Sequence, residues 1–239
     1  MYNFFNIVSL NMRYKVLFFL IIFSIQPSYA YAGEQSNESV SAKNFQYNIG
    51  YMTEYWIRGS FQAASVLHGS IAYTSGPVYL SAGYADLRDR KGGATYNEGE
   101  AFVSLYGSYN FELLTIPTYV GLAAYRYTDG IDHHYNEVSV GADFDIFSVD
   151  AVILGDYDTS PSSDYWHFQV TVPVGPINYT YGTYSGAWQY VVHEISTGIT
   201  INEINYGIKL GINNDNAMGT AANSNQDTTY GALSIGYSF

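Results

Sequence analysis

The chain of 239 residues has no cysteine, few charges and little that is basic. Without cysteine it can form no disulfide and no thiolate metal site. Lys and Arg number 9 against 21 Asp and Glu, for a net charge of −12, which argues against nucleic acid as a partner. Charged residues make up only 13% and hydrophobic ones 47%, so the fold must take much apolar surface out of water. Beyond the first 32 residues no apolar run approaches the ~18 that a membrane-spanning helix needs. Helical spacing is scarce from Asn44 onward. G-x-S-x-G, H-E-x-x-H and a phosphate-cradling glycine loop are missing, and no pattern calls for a cofactor.

What is present begins with a leader. Residues 12–15 (Met-Arg-Tyr-Lys) are a short basic region, and residues 16–25 are an apolar core. Ala30 and Ala32 then place small residues at −3 and −1 before Gly33. This is the pattern of a secretory signal peptide over 1–32, with Met12 as an alternative start. Its removal leaves seven Lys and Arg against 21 acids, or −14. Residues 33–43 are polar and read as a flexible lead-in to a single domain over 44–239.

Period-2 alternation dominates that domain. Val138, Val140, Ala142, Phe144 and Ile146 alternate with Glu137, Ser139, Gly141, Asp143 and Asp145. Trp166, Phe168, Val170 and Val172 alternate with His167, Gln169 and Thr171. Phe45, Tyr47, Ile49, Tyr51, Tyr55 and Ile57 form the apolar face of the first segment. Such segments predict about twelve strands, near 44–58, 65–74, 78–86, 99–112, 116–127, 135–146, 149–157, 164–174, 177–184, 188–201, 204–213 and 228–239. Most approach the ~9–11 residues of a tilted membrane strand.

The connections sort by parity. Tight turns fall at 75–77, 113–115, 147–148, 175–176 and 202–203. Longer, turn-rich loops fall at 59–65, 87–98, 129–134, 158–163, 185–188 and 214–227. Strict alternation of this kind is expected of an all-β, single antiparallel transmembrane β-barrel with short periplasmic turns and longer outer loops. A soluble β-sandwich would also alternate its faces, but nothing would sort its loops. Aromatics are 18% of the chain, 26 of them Tyr, which suits a membrane–water interface as well as simple strand preference.

The final segment carries the same pattern to its end. Leu233, Ile235, Tyr237 and Phe239 share one face; Ala232, Ser234, Gly236 and Ser238 share the other. Tyr237 and the terminal Phe239 look like the C-terminal signal read by the outer-membrane barrel-assembly machinery. Residues 53–62 (Thr-Glu-Tyr-Trp-Ile-Arg-Gly-Ser-Phe-Gln) and the glycine-rich hairpin that follows resemble the TorF-type porin family. Members open with an aromatic-x-Arg-Gly strand end and a Ser/Thr-Gln pair. Arg58, Gly59 and Gln62 match, whereas Phe61 stands where the hydroxyl residue is expected. The likeness covers roughly 51–87 and implies a barrel in the bacterial outer membrane, without established catalytic residues.

Candidate functional residues are the charges on the inward face, because charges on the lipid face are costly. By parity these are Glu54, Glu100, Glu112, Glu137, Asp143, Asp145, Asp150 and Glu194, with Arg58 and Lys209. A lumen this acidic would favour cations. The leading expectation is therefore a porin-like channel for passive passage of small solutes. The alternatives are a closed structural or adhesive barrel that binds through its outer loops, its inward acids hydrogen-bonded into a plug with Arg58, Lys209 and the inward tyrosines, and an envelope lipid hydrolase using Ser70, His68 and Glu54. His133 and His134 sit in an Asp-rich loop that reads as solvated rather than metal-binding. Acidic outer loops around Asp129, Asp132, Asp156, Asp158 and Asp164 would meet lipopolysaccharide through divalent cations. The basic cluster 88–91 keeps a long loop soluble or touches lipid phosphates.

Overall fold

The computed structural model describes residues 44–58, 60–87, 101–128, 134–157, 163–186, 190–214 and 228–239. The expected signal peptide, the lead-in, Glu100, the 88–91 cluster, Asp129, Asp132, His133 and Asp158 lie outside them. Twelve strands run in sequence: β1 Phe45–Ile57, β2 Ser60–Ser75, β3 Val78–Asp86, β4 Ala101–Leu113, β5 Ile116–Tyr127 and β6 Tyr135–Asp143. There follow β7 Ser148–Tyr157, β8 Ser163–Val174, β9 Ile177–Gly186, β10 Val191–Ile201, β11 Ile204–Asn213 and β12 Thr228–Ser238. Each strand pairs antiparallel with its neighbours in sequence, and β12 pairs with β1 to close the barrel.

Closure satisfies the backbone of every strand without leaving an edge. The seam is fixed by Ile49 opposite Tyr237 and Tyr51 opposite Ile235. Beyond the ladder, the Tyr47 N–H donates to Phe239 O at 3.0 Å and the Phe239 N–H donates to Tyr47 O at 3.1 Å. The two rings stack with centroids 5.5 Å apart. The terminal aromatic is thus the last rung of the closing strand.

Tight turns are built from positive φ. Leu114 and Thr115 have φ of 53° and 70°, and Asn202 and Glu203 have 50° and 68°. Both central residues then have the positive φ of a type I′ turn, whose twist matches the right-handed twist of the strands. Gly76 and Gly175 each precede a proline and carry φ of 53° and 61°. There glycine supplies the positive φ and proline the fixed negative one, as in a II′ turn.

The outward face carries a broad belt of apolar side chains. Ile199, Ile208, Leu210, Leu233, Leu105 and Leu122 are all about half exposed or more in the isolated chain. A continuous apolar surface wrapped around a closed barrel belongs in a bilayer. Phe45, Tyr47, Tyr109, Phe111, Tyr206 and Tyr237 crowd the end that carries the tight turns, while Tyr84 and Trp166 lie outward nearer the long loops. These are the interfacial aromatics that composition predicts. A closed barrel resists unfolding by detergent until heated. The unboiled protein is expected to run faster on SDS gels than the boiled one, and identical mobilities would point to a soluble sandwich instead.

Three expectations need correction. The first outer connection is not a loop over 59–65, because β2 already begins at Ser60. A bulge lies here instead: the register shifts between Tyr55 and Trp56, and Ser65 has φ of 57°. The bulge re-aims side chains, so Tyr55 is buried at 3% against Phe102 inside the barrel rather than facing lipid. Ile57 likewise packs against this internal cluster. Finally, Asp145 is not on a strand. β6 ends at Asp143, and Asp145 sits exposed in the 144–147 turn with φ of 66°, its N–H donating to Asp143 Oδ1 at 3.0 Å.

Candidate functional site

Two different interiors share one barrel. Along much of the wall the inward side chains are small and polar, among them Ser70, Ser81, Ser104, Ser139, Ser196 and Ser234. Inward rings lie flat on this wall where a neighbouring strand offers glycine. A Cβ at Gly141 would collide with the ring of Tyr119, and one at Gly211 with the ring of Tyr230. Glycine there lets the rings hug the wall and aim their hydroxyls at acids. Tyr119 donates to Asp150 Oδ1 at 2.6 Å, and Tyr230 donates to Glu194 Oε2 at 3.0 Å.

The end bearing the long loops is filled. Tyr55, Phe102, Tyr125 and Tyr127 form one buried cluster on β1, β4 and β5. Tyr165, Tyr184, Tyr190 and Val192 form another around β8 to β10, and Tyr135 packs against both. Trp56 stacks on Tyr230 with centroids 4.2 Å apart and donates its indole N–H to Glu54 Oε2 at 2.9 Å.

Between the clusters lies an ion pair. Arg58 Nη1 donates to Glu137 Oε1 at 2.6 Å and Arg58 Nη2 to Glu137 Oε2 at 3.0 Å, a two-pronged contact. The side chains are 8% and 2% exposed, so the pair is dry. The same carboxylate accepts the Tyr165 hydroxyl at 2.6 Å and the Tyr125 hydroxyl at 3.4 Å. Arg58 also donates to Tyr184 Oη at 3.3 Å, and Tyr190 Oη donates to Arg58 O at 3.1 Å. Gln62 Oε1 accepts the Tyr127 hydroxyl at 2.8 Å.

The structure brings four of the expected inward charges together as two pairs. Arg58 meets Glu137, and Lys209 Nζ lies 3.2 Å from Glu194 Oε2. Glu54 and Asp143 stay on the inward face, each in its own neighbourhood. Ser70, His68 and Glu54 form no relay. His68 Nε2 has no hydrogen-bond partner, and Glu54 is engaged by Trp56. His193 faces outward and shares a 2.7 Å hydrogen bond with Tyr179 Oη. The inward tyrosines were expected only as a group that could close the lumen with Arg58 and Lys209, and none was singled out as a site residue. Their signal lay in parity: Tyr119, Tyr125 and Tyr127 share the register of Gly121, on the face opposite Val120 and Leu122.

No protein-family model matches the sequence, and no curated protein does. Among solved structures the barrel is similar to one described as "KdgM porin", with a TM-score of 0.52 and 10% identity over 81% of this chain and 99% of that chain. It is also similar to "KdgM porin in complex with disordered oligogalacturonate", with a TM-score of 0.50 and 11% identity over 81% of this chain and 99% of the other. At such identities the likeness is one of fold.

Proposed function

We propose that the chain is an outer-membrane, porin-like channel for passive passage of small solutes. One observation carries the reading: a closed twelve-strand barrel has apolar side chains outside and a largely polar, acidic wall inside. Twelve strands lie between the ~8 that side chains fill and the ~16 that guarantee an aqueous channel. What the wall is made of therefore decides. The proposal includes export through a signal peptide over 1–32, a flexible lead-in over 33–43, and recognition of Tyr237 and Phe239 by the assembly machinery during insertion. It also includes kinship with TorF-type porins through Arg58, Gly59 and Gln62, and outer-leaflet contact with lipopolysaccharide.

Charge gives the solute class. Among the described residues the inward acids are Glu54, Glu112, Glu137, Asp143, Asp150 and Glu194, against Arg58 and Lys209. Two acids are matched by the two cations, and the others leave the lumen acidic. Oligogalacturonate, held by one of the similar structures, is a polyanion and would be repelled by such a wall. We infer passage of cations and neutral polar solutes.

Planar-bilayer recording tests this. Discrete conductance steps with a reversal potential favouring cations are expected, and Asp143→Asn with Asp150→Asn should weaken that preference. If folded, heat-modifiable protein stays silent, both in its natural form and after relief of the filled end, the channel reading is lost. A closed barrel that binds through its loops would then take its place.

A further inference from the structure

We propose that Arg58 and Glu137 form the gate of this channel, a removable plug at its long-loop end; the proposal rests on the channel reading above. The geometry is that of a turn hung over the lumen. Arg58 occupies the two-residue connection between β1 and β2 and has φ of 48°. In barrel order its guanidinium reaches β6, five strands away on one side. Its carbonyl is bonded by Tyr190, at the start of β10, three strands away on the other side. Arg58 therefore spans the opening.

Glu137 is the keystone of what it meets. Its two oxygens take two N–H groups of Arg58 and the hydroxyls of Tyr125 and Tyr165. Those donors come from the β1–β2 turn, β5 and β8, so one carboxylate gathers three parts of the circumference. The aromatic clusters flanking it belong to separate arcs, β1 to β5 and β7 to β10. They meet through Arg58, Glu137 and Tyr135. Without the ion pair, the short turn loses its two-pronged link to β6, and the arcs lose their shared acceptor. The remaining wall carries small polar groups and rings that lie flat against it. The plug is thus local, polar and reversible, as a gate must be, while the closed sheet around it is not disturbed.

The test compares natural protein with Arg58→Ala, Glu137→Gln and the double variant Arg58→Ala/Glu137→Ala in planar bilayers. The double variant removes both members of the pair, so it keeps the test sound if a single change impairs folding. Heat-modifiable gel mobility confirms the barrel in each case. The expected result is rare or small conductance steps in the natural protein. Open probability or conductance should rise several-fold in the variants, with cation preference retained. Equal conductance in the natural protein and the folded double variant overturns the gate while leaving the channel standing. Silence in all four proteins overturns the channel reading itself, and the gate with it.

Discussion

Lysine in place of Ile208 is expected to destabilise the barrel by about 2–4 kcal/mol, the cost of a basic side chain on the lipid face at the bilayer midplane. Ile208 is the central outward residue of β11, paired with Thr197 on β10 and Leu233 on β12. It is 48% exposed in the isolated chain, and that exposed surface faces hydrocarbon. The same change at Ile204, beside the tight turn, lies at the interface and should cost only about 0–1 kcal/mol. Lys209, one residue further on, shows why parity matters. It points inward and sits 3.2 Å from Glu194. Urea unfolding in vesicles measures the contrast. Equal costs at 208 and 204 would mean that the outward face does not lie in a membrane as assigned.

The wall of the barrel was legible because its rules are local. The period of two, a lipid-facing apolar set and turn residues between them are all written within ten or twelve positions. β3 begins at Val78 and ends at Asp86, and β11 runs from Ile204 to Asn213, where alternation places them. The closing of β12 on β1 followed from an even strand count and the aromatic ending. What parity could not supply was anything that breaks parity. Ser65 takes a left-handed φ, the register slips beside Tyr55, and residues 60–65 fold as strand rather than loop. A bulge costs little and has no strong composition of its own. It was enough to turn Tyr55 from lipid to lumen.

The interior was legible only in its inventory. Inward charges were found by exclusion from the lipid face, but their pairing depends on the circumference. Arg58 and Glu137 are 79 residues apart and join across the barrel. Glu194 and Lys209 sit on adjacent strands, in reach of each other through ladder register. Nothing in spacing distinguishes the first pair from the many other acid–base combinations. The tyrosines obscured it further. Tyr serves lipid interfaces and buried hydrogen bonds equally well, because its ring is apolar and its hydroxyl needs a partner. Here it does both, outside at Tyr206 and Tyr237, inside at Tyr119, Tyr165 and Tyr230.

Alanine at Glu137 is expected to cost more than any other single change inside the barrel, about 3–5 kcal/mol. The reason lies in what it leaves behind. The Arg58 side chain is 8% exposed and would keep its charge while losing its two-pronged partner. The hydroxyls of Tyr125 and Tyr165 would lose a shared acceptor, each such loss costing about 1–3 kcal/mol if no water replaces it. Arg58→Ala should cost less, because Glu137 keeps its two tyrosine donors. The double variant should then be more stable than the two single costs predict, with a coupling of about 0.5–3 kcal/mol. A double-mutant cycle by urea unfolding in vesicles reads that coupling directly. Strict additivity would mean that the two side chains share no energy, and the contact across the lumen could not then hold the mouth together. A large coupling with a heavy single cost describes a plug held by one carboxylate, stable while paired and poorly tolerated when half of it is removed.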